Sequence, residues 1–176
     1  MSKKYAIEAA ILAGGQSRRM GEDKAVLRVG RRTLLGHARA LAAEMGLNCR
    51  VVRVDCRAGN GPLGGIETAL RRTKAERVLF LSCDMPFLSA SLAGRIMEVK
   101  HPAVFAAVDG LAGFPFCLSR EMLPSIEARL ETRELSLQSL ARNHGRHWRV
   151  PKRDWPQLAN INTPEELAAA RAALQS

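Results

Sequence analysis

Two glycines and three cations lie close together near the start of this 176-residue chain. Gly14 and Gly15 follow a short apolar run, and Arg18, Arg19 and Lys24 come directly after them. Glycine lets the backbone turn sharply and brings its N–H groups close to a ligand. Arginine forks onto phosphate oxygens, and lysine adds a mobile point charge. The segment therefore predicts a site for a polyphosphate.

This segment is not one of the common phosphate loops. It lacks the G-x-x-x-x-G-K-[ST] pattern of the P-loop and the G-x-G-x-x-G pattern of dinucleotide-binding folds. The alternative is a surface turn whose arginines only keep the protein in solution. The order of strand, Gly-Gly, Arg-Arg, Gly and Lys favours the functional interpretation.

Asp84 is the second candidate, because it comes just after the apolar run Arg77–Ser82. In α/β sheets, ligands collect beyond the carboxyl ends of parallel strands. A single carboxylate at that place suits Mg²⁺, which is commonly held by one or two carboxylates and the substrate phosphates. The alternative role is a helix cap, but Ser89 is better placed to cap a helix over Ala90–Val99.

Asn160 and Asn162 are the third candidates. They precede a helix start in which Thr163 is the cap, Pro164 the first residue and Glu166 the partner in a capping box. The cap explains Thr163 to Glu166 but neither asparagine. Asn160 and Asn162 are therefore candidates for contact with substrate or metal, the alternative being ordinary turn residues.

The elements that must position these side chains follow a strand–loop–helix order. The predicted strands are Tyr5–Leu12, Cys49–Val54, Arg77–Ser82, Ala103–Val108 and Arg146–Val150. Predicted helices cover the apolar spacing from Leu34 to Met45, with Thr33 as cap and Gly46 as stop, then Ile66–Thr73, Ala90–Val99, Glu121–Leu130 and Leu135–Asn143. A glycine-rich loop, Ala58–Gly65, is predicted before the second helix.

Length and composition fit one domain over residues 1–176 with a sizeable core. Apolar runs are too short to span a membrane, and Glu8 within the first run argues against a signal peptide. The four cysteines form no Cys-x-x-Cys pair, so we expect reduced thiols in the cytoplasm. The net charge is +10, but the cations are dispersed and aromatic residues are few, so no nucleic-acid partner is expected.

Three motifs together carry a resemblance to a known family. They are Leu12–Lys24 (L-A-G-G-Q-S-R-R-M-G-E-D-K), Gly61–Gly65 (G-P-L-G-G) and Leu81–Pro86 (L-S-C-D-M-P). They resemble the signature of the nucleotidyltransferases that complete the molybdenum cofactor, above all the molybdenum cofactor guanylyltransferases. Asn160–Leu167 resembles the family's C-terminal motif, and Gly113–Arg120 resembles its short strand ending in a substrate-side arginine.

The resemblance implies a Rossmann-like three-layer α/β/α sandwich with a mostly parallel sheet, of the nucleotide-diphospho-sugar transferase type. It implies Mg²⁺-dependent transfer of GMP from GTP to a molybdopterin-type acceptor, with transient contact to other cofactor-biosynthesis proteins. Lys24, Arg19 and Asp84 would be catalytic, and Asp84 would hold the metal. The nucleotide would contact Leu12, Ala13, Gly14, Gly15, Arg19, Lys24, Asp55, Gly61, Pro62, Leu63 and Asp84, and the pterin would contact Asn160 and Asn162.

The chain departs from the family pattern in one place. Relatives have an extra strand before the Gly-Pro-Leu motif, whereas only eight residues separate Gly46 from Asp55 here. Because a strand that helps to read the base is missing or merged, we expect weaker preference for GTP. The alternatives are a cytidylyltransferase, a guanylyltransferase with another phosphorylated small acceptor, or a catalytically degenerate binding protein on the same fold.

Overall fold

The computed structural model describes residues 7–13, 23–53 and 59–174. Its strands are β1 Ile7–Leu12, β2 Arg28–Val29, β3 Arg32–Thr33, β4 Cys49–Val52, β5 Arg77–Ser82, β6 Ala103–Val108, β7 Leu111–Ser119 and β8 Arg146–Arg149. Its α-helices are α1 Leu34–Glu44, α2 Gly61–Arg72, α3 Ala90–Glu98, α4 Leu123–Glu131, α5 Leu137–His144 and α6 Pro164–Ala173. Short 3₁₀ helices cover Lys24–Val26, Arg120–Met122 and Lys152–Leu158.

Six of these strands form one sheet in the order β4-β1-β5-β7-β6-β8, and β2 and β3 form a separate hairpin. All the strands of the large sheet run in one direction except β7, which is antiparallel to both of its neighbours. The mostly parallel sheet predicted from the resemblance is confirmed. β1, β4 and β5 end at the same side of the sheet, which we call the carboxyl edge.

Helices cover both faces of the sheet and bury its apolar side chains. Helices α1 and α3 pack on one face, and α2, α4 and α5 pack on the other. The second core contains three stacked rings, with Phe116 between Phe80 and Phe105 at centroid distances of 4.8 and 5.1 Å. This arrangement is the predicted three-layer sandwich, and it fixes the strand ends that carry the candidate site.

The helix caps explain where several helices begin. The side chains of Thr33, Ser89 and Ser136 accept backbone N–H bonds at the starts of α1, α3 and α5. The predicted capping box of α6 is present, with Thr163 and Glu166 bonding reciprocally. Helix α1 ends at Glu44, just before the positive-φ Gly46 predicted as its stop.

The prediction of a loop over Ala58–Gly65 is wrong for its second half. Helix α2 begins at Gly61 rather than Ile66, so Gly61, Pro62 and Leu63 form its first turn. Proline suits this position because the first turn needs no intrahelical N–H. Leu63, Ile66 and Leu70 are fully buried, so the apolar helical spacing already starts at Leu63.

The strand Gly113–Arg120 also differs from its predicted role. Because β7 runs antiparallel to β5, Ser119 pairs with Arg77 at the start of β5. The Arg120 N–H donates to the carbonyl of Glu76, just before that strand. Arg120 therefore lies at the sheet edge opposite Asp84, and it is not a substrate-side arginine. Among the described residues, no helix is long and apolar enough to cross a membrane.

Candidate active site

The carboxyl edge brings the predicted residues of the first and third strands together. Leu12, the last residue of β1, is in register with Ser82, the last residue of β5, and with Val52 of β4. Ala13 donates its N–H to the carbonyl of Val52, which carries the chain out over this edge. The segment leaving β1 and the segment leaving β5 therefore emerge side by side.

Lys24 reaches this edge from a 3₁₀ helix, Lys24–Val26. Asp23 caps that helix by accepting the Ala25 N–H at 2.9 Å, and Ala25 is buried. The Lys24 ammonium donates to Asn162 Oδ1 at 2.6 Å and lies 3.7 Å from Asp84 Oδ2. Three predicted residues from distant parts of the chain thus form one cluster.

Asp84 is held on two sides. The Ser82 hydroxyl donates to Asp84 Oδ1 at 2.5 Å, and the Asp84 carbonyl accepts the Ile161 N–H at 2.9 Å. The side chain remains 20% exposed, and Lys24 remains 17% exposed. Ser89 caps α3, so Asp84 is not the cap of that helix, as the sequence predicts. The carboxylate is oriented but still reachable from solvent.

Asn162 is positioned by its neighbours on both sides. Ile161 is 2% exposed and packs in a small core with Val29, Leu34 and Leu167. The Glu166 carboxylate accepts the N–H groups of Asn162 and Thr163 at 2.6 and 3.0 Å. Because the backbone is fixed in this way, the amide oxygen of Asn162 stays directed at Lys24.

Asn160 takes a different position from Asn162. It is exposed and lines a mostly apolar groove together with Phe87, Pro156 and Ala170. The groove runs beside α6 and starts next to the Asp84–Ile161 contact. Asn160 therefore faces the surface beside the Lys24–Asp84–Asn162 cluster.

The first turn of α2 lies at the same edge, because the helix runs antiparallel to β4 and β5. Asn60, just before it, is 5% exposed and accepts a hydrogen bond from Arg133 Nη1 at 3.3 Å. The side chain of Leu63 is fully buried. Of the predicted motif Gly61–Leu63, the backbone rather than the leucine side chain is therefore available to a ligand.

Four predicted nucleotide-binding residues, Gly14, Gly15, Arg19 and Asp55, lie outside the described residues. The segments that flank them are nevertheless joined. Arg53, next to the end of β4, pairs with Asp23 at 3.3 Å between Nη1 and Oδ2. This contact links the strand before Asp55 to the helix that carries Lys24.

Two supporting residues of the cluster were not predicted. Asp23 caps the helix of Lys24, and the Ser82 hydroxyl orients Asp84. The signal for Asp23 is its place directly before Lys24, since aspartate is a common N-cap. Ser82 ends an apolar strand two residues before Asp84. The hydrogen bond between them depends on the geometry of the turn, which the sequence does not reveal.

The charges of the cluster are those of Lys24 and Asp84. Burial, reinforced by the neighbouring Asp84 charge, raises the pKa of the Cys83 thiol to about 11. The thiol is therefore protonated at neutral pH and adds no charge. Among the described residues, no three His, Cys, Asp or Glu side chains group as a metal site. One carboxylate can hold Mg²⁺ when substrate phosphates supply further oxygens.

A lysine, an oriented carboxylate and an amide at the carboxyl edge of a mostly parallel sheet can neutralise and position a phosphate. This combination of fold and cluster is typical of α/β nucleotidyltransferases. The sequence profile of the MobA-like NTP transferase domain matches residues 9–55 and 38–148. The chain belongs to the MobA-like NTP transferase family.

Curated relatives agree with this assignment. The molybdenum cofactor guanylyltransferase of Shewanella amazonensis is 30% identical over 96% of this chain and 97% of its own length. That of Xanthomonas euvesicatoria pv. vesicatoria is 31% identical over 89% of each chain. A probable molybdenum cofactor guanylyltransferase of Pelotomaculum thermopropionicum is 40% identical, but that match spans only 50% of either chain.

Solved structures share the fold. Molybdopterin-guanine dinucleotide biosynthesis protein A from Archaeoglobus fulgidus has a TM-score of 0.75 and 18% identity, over 96% of this chain and 98% of that one. The 2-C-methyl-D-erythritol 4-phosphate cytidylyltransferase of Thermus thermophilus has a TM-score of 0.70 and 17% identity with the same coverage. The fold is therefore shared with a protein named for guanine dinucleotide biosynthesis and with a cytidylyltransferase.

Proposed function

We propose that this protein transfers GMP from GTP to the terminal phosphate of a molybdopterin-type acceptor and releases pyrophosphate. The observation that carries the proposal is the cluster of Lys24, Asp84 and Asn162 at the carboxyl edge, in a chain of this family. An oxygen of the acceptor phosphate forms a bond to the α-phosphorus of GTP. The bond from that phosphorus to the bridging oxygen breaks, and pyrophosphate leaves with the bonding electrons.

The nucleotide side of the proposed site starts where β1 ends. The backbone of Leu12 and Ala13 leads into Gly14 and Gly15, whose amides would bind the β- and γ-phosphates together with Arg19. Such backbone donors need no reorganisation when charge develops on the leaving group. Asp55 and the first turn of α2, Gly61 to Leu63, would contact the nucleoside, the helix through its backbone.

Lys24 would bind the α-phosphate. Its ammonium lies between Asp84 and Asn162, and it is partly exposed, so it can exchange a protein oxygen for a phosphate oxygen. A cation that contacts the α-phosphate stabilises the charge that builds up as the acceptor attacks. The cap by Asp23 and the burial of Ala25 hold the lysine backbone during this exchange.

Asp84 would hold Mg²⁺, and its surroundings fit a metal ligand. One oxygen accepts from the Ser82 hydroxyl, as ligating carboxylates commonly do from outer-shell partners, and the other faces the site. Bound Mg²⁺ would supply charge neutralisation on the phosphates. Lys24, 3.7 Å away, keeps the carboxylate paired before a metal binds.

The acceptor side would involve Asn160 and Asn162. Asn162 lies next to Lys24, and Asn160 lines the groove with Phe87 and Pro156. Apolar walls with a few amide groups suit a flat heterocycle with polar edges. The proposal also keeps three expectations from the sequence: one domain over residues 1–176, a cytoplasmic location and transient contact with other cofactor-biosynthesis proteins.

The test is a panel of nucleoside triphosphates with purified molybdopterin and Mg²⁺, in which the dinucleotide and pyrophosphate are both quantified. We expect a guanine dinucleotide and one pyrophosphate per product. Because the segment between Gly46 and Asp55 is short, GTP should be preferred over CTP and ATP by less than about a thousandfold, a few hydrogen bonds' worth. The control is the same panel with Asp84→Asn.

Each other result overturns a defined part of the proposal. A cytosine dinucleotide as the main product would make the protein a cytidylyltransferase. If GTP were turned over only with a different phosphorylated small molecule, the proposed acceptor would be wrong. Binding of all three nucleotides with equal affinity and no product would indicate a degenerate binding protein on the same fold.

A further inference from the structure

The outer edge of the sheet and its neighbouring segments carry a group of exposed basic residues. We define the basic edge as Arg142 at the end of α5, Arg146, His147 and Arg149 of β8, and Lys152 and Arg153 after it. The side chains of all six are exposed. Along the sequence the positive residues look dispersed, but Arg146 and Arg149 lie in this edge strand, and Arg142, Lys152 and Arg153 lie in the segments that directly precede and follow it.

The charge of the basic edge is largely unneutralised. Residues 142 to 153 contain no Asp or Glu. Within the described part of the chain, Arg142, Arg146 and Arg149 form no ion pair, and Arg153 approaches Asp154 at 3.8 Å. Elsewhere Arg71 pairs with both Glu67 and Glu127. The basic edge is therefore suited to an acidic partner.

The backbone of β8 adds a second kind of binding group. β8 is the last strand in the order of the six-stranded sheet, and it pairs only with β6 in the described structure. The groups on its outer side are a template for a further strand. Extended segments commonly bind by adding a strand to such an edge, with the side chains supplying specificity.

Charged side chains on an edge strand also serve to prevent edge-to-edge aggregation. The five arginine and lysine side chains of the basic edge do so here against a second copy of this chain, because like charges would face each other. The same charges do not repel an acidic segment. The half-buried Trp148 packs against the core, and the Trp155 N–H donates to the Val150 carbonyl at 3.0 Å, so neither offers the open stacking face that single-stranded nucleic acid uses.

We propose that the basic edge binds an extended acidic segment of a partner protein, which adds a strand to β8. The chain continues from β8 through the 3₁₀ helix Lys152–Leu158 to Asn160 and Asn162. Asn160 lines the groove described above. The inference stands on the charge and the open strand, and it does not depend on the proposed reaction.

The test measures binding of fluorescent ten-residue peptides by anisotropy at physiological salt. The probe alternates glutamate with valine or threonine, because alternation matches the two faces of a strand. A second peptide has lysine in place of glutamate. A third keeps all the glutamates but replaces the valines with proline, which removes N–H donors and disfavours strand pairing. A single-stranded and a duplex oligonucleotide complete the set.

Two double variants of the protein are compared with the wild type. Arg146→Glu/Arg149→Glu reverses two charges of the basic edge. Arg39→Glu/Arg95→Glu makes the same change in net charge at exposed positions on α1 and α3. Pyrophosphate release should be unchanged in both double variants. A failure of this inference can therefore be told apart from a failure of the proposed function.

We expect the acidic peptide to bind the wild type and the Arg39/Arg95 variant with affinities within about threefold. Loss of two charge-assisted contacts in Arg146→Glu/Arg149→Glu should weaken binding by more than about tenfold. The proline peptide should bind more weakly than the probe. The proposal would be overturned if both double variants lost affinity equally, or if the acidic peptide did not bind. It would also be overturned if the proline peptide bound as well as the probe, or if an oligonucleotide bound more tightly.

Discussion

The two ends of β5 each carry a charged side chain, and the two charges have different kinds of partner. Arg77, at the start, donates to the carbonyls of Met97 and Val99 at 2.8 and 3.1 Å, at the end of α3. Asp84, just past the other end, faces Lys24, and both are partly exposed. A cation suits the carbonyl end of a helix, where the partners are fixed backbone groups.

We expect the first end of β5 to serve stability and the second end to serve the proposed chemistry. The partners of Arg77 cannot leave without unfolding the end of α3. The partners of Asp84 and Lys24 are side chains that can be replaced by phosphate or metal. We therefore expect substitutions at the first end to change stability, and substitutions at the second end to change turnover.

The largest expected effect is on turnover in Asp84→Asn. The amide keeps the size of the side chain but removes the charge proposed to hold Mg²⁺, so pyrophosphate release should fall by about three orders of magnitude. The melting temperature should stay within a few degrees of the wild type. Steady-state assays across a Mg²⁺ titration, with calorimetric melting, measure both. Wild-type turnover at any Mg²⁺ concentration would rule out the metal role.

Lys24→Met should have the next largest effect, because methionine keeps the aliphatic stem but not the charge. We expect turnover to fall about a hundredfold, as for removal of one electrostatic donor, while the Kd for GTP changes little. Single-turnover kinetics and calorimetric binding separate the two quantities. If only the Kd changes, Lys24 is an anchor and does not act on the transition state.

Arg77→Met tests the opposite end of the strand. Two backbone carbonyls lose a charged donor, which should lower the free energy of unfolding by about 2–3 kcal/mol. For a chain of this size, that corresponds to a melting temperature lower by about 5–10 °C. Arg95→Met, on the exposed side of α3, is the matched control and should melt like the wild type. A loss of turnover well below the melting transition would contradict a purely structural role for Arg77.

Glu166→Ala should have the smallest effect. It removes half of the capping box of α6 and the acceptor for the Asn162 N–H, so we expect a loss of about 1 kcal/mol in stability. Because Asn162 loses its backbone anchor, turnover should fall a few fold at unchanged GTP affinity. Glu165→Ala, one residue earlier, keeps the Asn162 anchor. Equal effects of the two substitutions on turnover would mean that the anchor does not matter.

Local sequence signals predicted much of the fold. The strand bounds Arg77–Ser82 and Ala103–Val108 and the caps Thr33, Ser89 and Thr163 are as predicted, because apolar period and cap chemistry act within a few residues. The start of α2 was missed because glycines and a proline usually indicate a loop. The position of Arg120 at the opposite sheet edge was not predicted, because the direction of β7 depends on its antiparallel pairing with β5.

The candidate site was predictable as a set of residues but not as contacts. Lys24, Asp84 and Asn162 each carry a local signal, whereas the 2.6 Å contact between Lys24 and Asn162 joins positions 138 residues apart. The buried Ile161 and its bond to the Asp84 carbonyl create that proximity. Long-range packing of this kind leaves no pattern in a single sequence.

A double-mutant cycle tests most directly whether Lys24 and Asp84 form one transfer site. Pyrophosphate release is measured for Lys24→Met, Asp84→Asn and the double variant, with radiolabelled GTP for sensitivity. Each single substitution leaves the other charge unbalanced in a site that needs both, and residues that act as a unit are strongly non-additive. The double variant should therefore be no more than about threefold slower than Asp84→Asn alone. Losses that multiply, with the double variant slower by a further factor of about a hundred, would show that the two side chains act independently and would contradict the account.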